Sequence, residues 1–247
     1  MIRLSLTAIG LLAAGSVQAQ ALRCTPPSGP QPVHAETPSA DQPRRVLPIG
    51  SYTLAITWVP EYCHGSANKP AAAFECASSA RFGFSLHGLW PDGVGKEWPQ
   101  YCRDTGLLPQ AVIKGAMCAT PSGQLLQHEW AKHGTCMADL QPSAYFGRST
   151  GLYAKLRYPD MAALSRRPAL NAGMLADAFA AANPGMTADM IRVTANPRGW
   201  LDELWICLDK RFIYTRCPAH SGGIDRQASL KIWRGGRGQP SSVTDAG

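Results

Sequence analysis

The stretch HEWAKHGTC at residues 128–136 sets His128, Glu129, Lys132, His133 and Cys136 close together. Histidine is the side chain that both takes and gives a proton near neutrality. On a helix turning about 100° per residue, the four ionisable groups from His128 to His133 fall within one arc, and Trp130 points away. Zinc chemistry would ask for histidines at i and i+4. Here the second falls at i+5, and Lys132 would set a cation beside the ion. A nucleophilic Cys136 is disfavoured in an exported chain with an even cysteine count, where such residues are bridged. What remains is acid–base work beside a bound anion. Two histidines from different elements, one neutral and one protonated, can remove and deliver protons in one reaction.

The second histidine has to come from elsewhere, and His87 is placed for it. In residues 82–87, Phe82, Phe84 and Leu86 share one face of a strand and Gly83, Ser85 and His87 the other. His87 is therefore expected at the strand's end, with Gly88 and Pro91-Asp92-Gly93 turning the chain. Residues 124–133 are expected to form the helix, stopped by Gly134. Around them, 52–58 alternates as a strand closed by Pro60, and 107–118, 144–156 and 174–182 carry helical spacing. Residues 201–208 and 211–217 are expected as a hairpin about Asp209-Lys210. Strands early and late, with helices between, predict an α+β domain.

The 247-residue chain carries a formal charge of +7. Arg3, the apolar residues 4–14 and Val17-Gln18-Ala19 have the make-up of a signal peptide, expected over residues 1–19. The apolar part is too short to span a bilayer, and no membrane anchor is expected. Residues 20–45 are proline-rich and predict an irregular arm, residues 46–234 the folded domain, and 235–247 a flexible Gly-rich tail. All 8 cysteines follow the leader, which predicts a disulfide framework in an oxidising compartment, the periplasm or outside the cell. The positive charge favours an anionic partner such as nucleic acid. Combined with the histidines, it points to RNA, whose 2′-OH supplies a nucleophile without a metal-bound water.

Residues 84–91 (FSLHGLWP) and 125–136 (LLQHEWAKHGTC) resemble the two active-site segments of the ribonuclease T2 family. Residues 52–63 are similar to the family's opening strand, and Leu204-Trp205-Ile206-Cys207 with Cys217-Pro218 to its late hairpin. The resemblance covers roughly residues 46–220 and rests on two independent motifs in order. It implies an exported endoribonuclease with an antiparallel sheet flanked by helices, stapled by disulfides in a single domain. His133 would be the general base and His87 the general acid. Glu129 and Lys132 would stabilise the pentacoordinate phosphorus, and His128 would hold the phosphate. Single-stranded RNA would be cut to 2′,3′-cyclic phosphate and then 3′-phosphate ends, with no metal or other cofactor and little base specificity.

The resemblance also assigns Trp90 and Asp92 to a nucleobase pocket, with Trp98 as the further aromatic. It implies Cys102–Cys136 and Cys207–Cys217 bridges. Cys63–Cys76 is plausible beside them, and Cys24–Cys118 follows by elimination. A monomer is expected. Two other readings stay open at this stage: a metalloenzyme using His87, His128 and His133, and a non-catalytic secreted RNA-binding or inhibitory protein.

Overall fold

The alternation of large apolar and smaller residues makes Ile49–Trp58 a strand, β1, at the centre of the sheet. In the computed structural model, which describes residues 24–138 and 140–235, β1 pairs antiparallel with β2 (Phe84–Gly93) and β4 (Leu201–Leu208). The strand β3 (Ile191–Ala195) pairs antiparallel with β4, giving the order β2-β1-β4-β3. The leader expected at 1–19 and all but the first residue of the expected tail lie outside the described residues.

The helices are α1 (Val59–Ser66), α2 (Ala73–Ala77), α3 (Gln110–Ala116), α4 (Gly123–Lys132), α5 (Pro142–Ala154), α6 (Met161–Ser165) and α7 (Ala172–Ala182). The architecture is the expected α+β class, an antiparallel sheet flanked by helices. Leu54 and Ile56 of β1, Phe84, Leu86 and Leu89 of β2, and Leu204 and Ile206 of β4 form one buried layer with Tyr145 of α5 and Phe179 of α7. Each such side chain contributes about 1.5–3 kcal/mol on full burial. Two tyrosines of α5 tie helix to sheet: Tyr145 Oη donates to the Leu89 carbonyl (3.0 Å) and Tyr153 Oη to that of Phe84 (2.7 Å).

The strand carrying His87 departs from expectation. It does not end at Gly88 but runs on to Gly93. Ala55 of β1 faces Gly88 while the next residue, Ile56, faces Leu86, so His87 is the extra residue of a β-bulge. The bulge resets the alternation. Without it, His87 and Trp90 would point to opposite faces. With it, Leu86 and Leu89 both enter the core, and His87, Trp90 and Asp92 all line the same cleft.

The expected partner strand at 211–217 is also corrected. Among the described residues, the stretch 211–217 pairs with β4 through an isolated bridge, Leu208 to Tyr214, and not through a strand. Asp209 Oδ1 accepts the backbone N–H groups of Arg211 (2.8 Å) and Ile213 (3.0 Å), and Phe212 takes φ 62°. The side chain thus captures donors that a ladder would need. The disulfides are Cys24–Cys118, Cys63–Cys76, Cys102–Cys136 and Cys207–Cys217. Cys102–Cys136 fastens the segment after α4 to the loop following β2.

Candidate active site

Helix α4 begins at Ser122, whose side chain accepts the Leu125 N–H, and its C-cap is His133. Trp130, on the helix's apolar side, is buried against Tyr145 of α5. Gly134 follows because the backbone there touches that indole: a Cβ would meet Trp130 Cε3 at 2.4 Å. With Trp130 locked in the core, the opposite arc of α4 must face β2, and His128, Glu129, Lys132 and His133 line the same cleft as His87. The cleft measures about 470 Å³, and Trp205, His220 and the loop 95–98 form other parts of its wall.

Glu129 is buried. Its Oε2 accepts from Trp90 Nε1 (2.9 Å), and its Oε1 lies 3.5 Å from His87 Nε2. This approach requires glycine at position 88, since a Cβ there would stand 1.7 Å from Glu129 Oε2. Burial pushes the Glu129 carboxyl up to about 7, against the pull of His87, the Trp90 hydrogen bond and Lys132.

The two histidines assigned to proton transfer are driven in opposite directions. His87 Nδ1 lies 2.5 Å from Glu203 Oε1 of β4. Burial opposes charge on this imidazole, but the Glu203 hydrogen bond and the charges of Glu129, Glu203 and Asp202 outweigh it and lift the pKa to about 9. His133 is buried and has cations around it: burial first, then Lys132, His128 and His87, hold its pKa well below the usual histidine value. At neutral pH one imidazole is therefore protonated and the other free to accept a proton. Trp90 is wedged between them, its ring T-shaped to His87 at 5.0 Å and stacked on His133 at 5.6 Å.

Two buried polar atoms here, Glu129 Oε1 and His133 Nδ1, have no hydrogen-bond partner among the described residues. In a plain core, orphans of this kind cost about 1–3 kcal/mol each. Beside a cleft such groups call for an explanation that core packing does not give. Lys132 completes the positive side, its pKa lowered mainly by burial. His128, whose pKa is also lowered, first by burial, has its Nδ1 3.4 Å from Glu36. Donor atoms of His128, Glu129 and His133 lie within 4.8 Å of one another, a spacing a metal ion could use. An ion there would share the site with the Lys132 ammonium.

Of the residues expected to read the base, Asp92 Oδ2 accepts from Thr53 (2.9 Å) and Ser51 (3.3 Å), and burial raises its pKa. Trp98 is 45% exposed at the cleft, with the Arg45 guanidinium 4.7 Å from its ring centroid. Trp90 is more structural than the expectation for it. One ring face is taken by His133 and an edge contact by Trp205, at 5.6 Å, so only the remainder can meet a base.

Sequence reasoning missed Glu203, Trp205 and Glu36. Trp205 Nε1 donates to Glu203 Oε2 (2.7 Å) and Thr57 Oγ1 to Oε1 (3.0 Å), so Glu203 is fixed from two sides under His87. The available signal was parity: in β4, Glu203 and Trp205 alternate with the buried Leu204 and Ile206.

The model of the ribonuclease T2 family matches residues 49–217. A probable ribonuclease of Haemophilus influenzae is 28% identical over 183 residues, 70% of this chain and 62% of that protein. A ribonuclease of Aeromonas hydrophila is 34% identical over 166 residues, covering 64% of this chain and 71% of its own. Among solved structures, the RNase-related protein from Calystegia sepium superposes with a TM-score of 0.60 at 23% identity, over 75% of this chain and 97% of that one. Trichomaglin, described as an S-like ribonuclease, does so with 0.59 at 20%, over 74% and 98%. These structures speak to the fold.

Proposed function

The chain belongs to the ribonuclease T2 family, and from that premise we infer that it is an endoribonuclease cutting single-stranded RNA without a metal ion. The observation that carries the reading is the pair of imidazoles in one cleft, His133 held neutral and His87 held charged. His133 takes the 2′-OH proton, the 2′-oxygen attacks phosphorus, and the P–O5′ bond breaks as His87 delivers a proton to O5′. The product is a 2′,3′-cyclic phosphate. Water then opens it with the two roles reversed, leaving a 3′-phosphate and restoring both protonation states.

Charge gathering on the phosphoryl oxygens is met by Lys132 and by Glu129. Below about pH 7 the Glu129 carboxyl carries a proton and can donate it in a hydrogen bond. His128 holds the phosphate. Trp90, Asp92 and Trp98 are the base-binding candidates. Stacking is worth about 1–3 kcal/mol for any base, which fits low base specificity. Asp92 Oδ2 is engaged by two hydroxyls, so Oδ1 is the atom to offer an exocyclic amine.

The four disulfides suit an oxidising compartment, and no described helix is long and apolar enough to cross a membrane. The reading is of an exported monomer, periplasmic or extracellular, with residues 1–19 as its signal peptide.

The test is cleavage of a single-stranded RNA oligomer in excess EDTA, with end analysis. Cutting to 2′,3′-cyclic ends, and none at a position carrying a 2′-deoxy sugar, is expected. Cutting of the 2′-deoxy position, or activity only with added divalent metal, would refute the reading.

Glu203 acts through His87 and is a positioning residue. Glu203→Gln removes the hydrogen-bonding carboxylate that lifts the His87 pKa, so that pKa falls. The acid form is then lost at lower pH, and the basic limb of the kcat profile moves down. A loss of about tenfold at pH 8 is expected, each unit of pKa fall below the working pH costing tenfold in the acid form. At pH 5 the variant should approach the wild type, because His87 is protonated in both.

A further inference from the structure

The proline-rich arm is fastened at both ends, by Cys24–Cys118 and by the backbone pair of Arg45 with Gln100. Between these points it lies along α3 and α4 through two reciprocal amide contacts. Gln110 accepts the Gln31 N–H (2.8 Å) and donates to the Gln31 carbonyl (3.0 Å). Gln124 likewise accepts from the His34 N–H (2.7 Å) and donates to its carbonyl (3.3 Å). The approach is close: a Cβ at Gly123 would meet Gln31 Cβ at 2.8 Å. Proline suits such a strap, because it fixes φ and offers no backbone N–H of its own to satisfy.

What the strap delivers is a carboxylate. Glu36 Oε1 accepts from Gln124 Nε2 (2.6 Å), and its Oε2 faces His128 Nδ1 at 3.4 Å. We propose that Glu36 is a positioning residue of the RNA site, orienting His128 through Nδ1 and favouring its charged form, so that its other nitrogen, Nε2, donates to a phosphate. This rests on the ribonuclease reading above. The charged groups around His128 otherwise disfavour its charge, Lys132 on its own helix and His87 on β2, while the His133 ring, 6.4 Å away, is neutral. Glu129, next to it on α4, pairs with His87 and Trp90 instead. Glu36 is the carboxylate that pairs with His128 directly, and burial together with the nearby cations still leaves the imidazole below its ordinary pKa. His128 is thus poised to lose its proton as pH rises, and Glu36 delays that loss.

The opposite role is physically available, since a carboxylate at the rim also repels RNA. The two roles predict opposite signs. Steady-state cleavage of a single-stranded RNA oligomer by the full chain in EDTA, wild type against Glu36→Gln, should be followed from pH 4 to 8. Glutamine can keep its oxygen on Gln124 Nε2 while turning an NH2 towards His128, which removes both the charge and the acceptor for His128 Nδ1. Positioning predicts a KM raised about two- to fivefold near neutral pH, the range of a partly exposed ion pair. The ratio should fall towards one at pH 4, where His128 is protonated in both proteins, and kcat should change less than KM. A purely structural contact would leave the pH dependence of KM unmoved. An unchanged or lowered KM in Glu36→Gln, with an active wild type, would overturn this inference and leave the ribonuclease reading standing. Inactivity of the wild type would overturn both.

Discussion

His133→Ala is expected to lower kcat on single-stranded RNA by about 10² to 10⁴, and His87→Ala by a similar factor, the usual contribution of a general base or acid. The two losses should be separable by the leaving group. A ribonucleoside 3′-(4-nitrophenyl phosphate) expels an anion that needs no proton. His87→Ala should therefore recover most of its rate on that substrate, and His133→Ala should not, because the 2′-OH proton must still be removed. Equal losses on both substrates would take the acid role away from His87. Thermal unfolding provides the control, since His133 is buried against Trp90 and its removal leaves a cavity.

Glu129→Ala should cost about 10² to 10³ in kcat, the range for loss of one preorganised group facing transition-state charge. The variant also strips Trp90 Nε1 of its acceptor, loosening the indole that separates the two histidines. Glu129→Gln distinguishes two ways this side chain can act. If the protonated carboxyl donates to a phosphoryl oxygen, an amide N–H can stand in, and the loss at pH 5 should stay within about tenfold. If the carboxylate's charge is what matters, through its 3.5 Å approach to His87, the glutamine variant should fall nearly as far as alanine. The burial of Glu129 and its pKa of about 7 favour the first outcome in acid, with activity falling as pH rises through 7 and the donor proton is lost.

The pH behaviour as a whole follows from the same groups. Activity needs His133 unprotonated, which sets an acid limb well below pH 6.5, and His87 protonated, which sets a basic limb near 9. If His128 holds the phosphate as proposed, binding also needs its proton, and that pKa is lowered. The kcat profile should therefore fall in two steps on the alkaline side, first as Glu129 loses its proton near 7 and then as His87 loses its own near 9, while kcat/KM, which also depends on His128, falls off earlier.

Much of this site is local and was legible in the chain. The segment 128–133 had to be a helix with Trp130 inward, and His87 had to leave a strand on the side away from Phe84 and Leu86. What periodicity could not show is how far that strand runs. A bulge at His87 is decided by the pairing of β2 with β1, not by the residues of β2 alone, so Gly88 looked like a turn when it is a point of contact with Glu129. Parity could mark Glu203 as facing away from the core, but not what it faces. It lies 116 residues from His87, and only the register of β4 on β1 brings it under the imidazole. The arm gave a different difficulty. Prolines announce irregular backbone, but where that backbone lies depends on Cys24–Cys118 and on two glutamine side chains, which leave no period in the sequence.

The central claim is that one cleft keeps one imidazole charged and another neutral. The direct measurement is an NMR titration of the His87 and His133 ring Cε1–H signals in the free protein, assigned with the two alanine variants. His87 should titrate near pH 9, and His133 should show no protonation until well below pH 6.5. Both rings titrating together near 6.5, or His133 charging before His87 as pH falls, would contradict the assignment of base and acid.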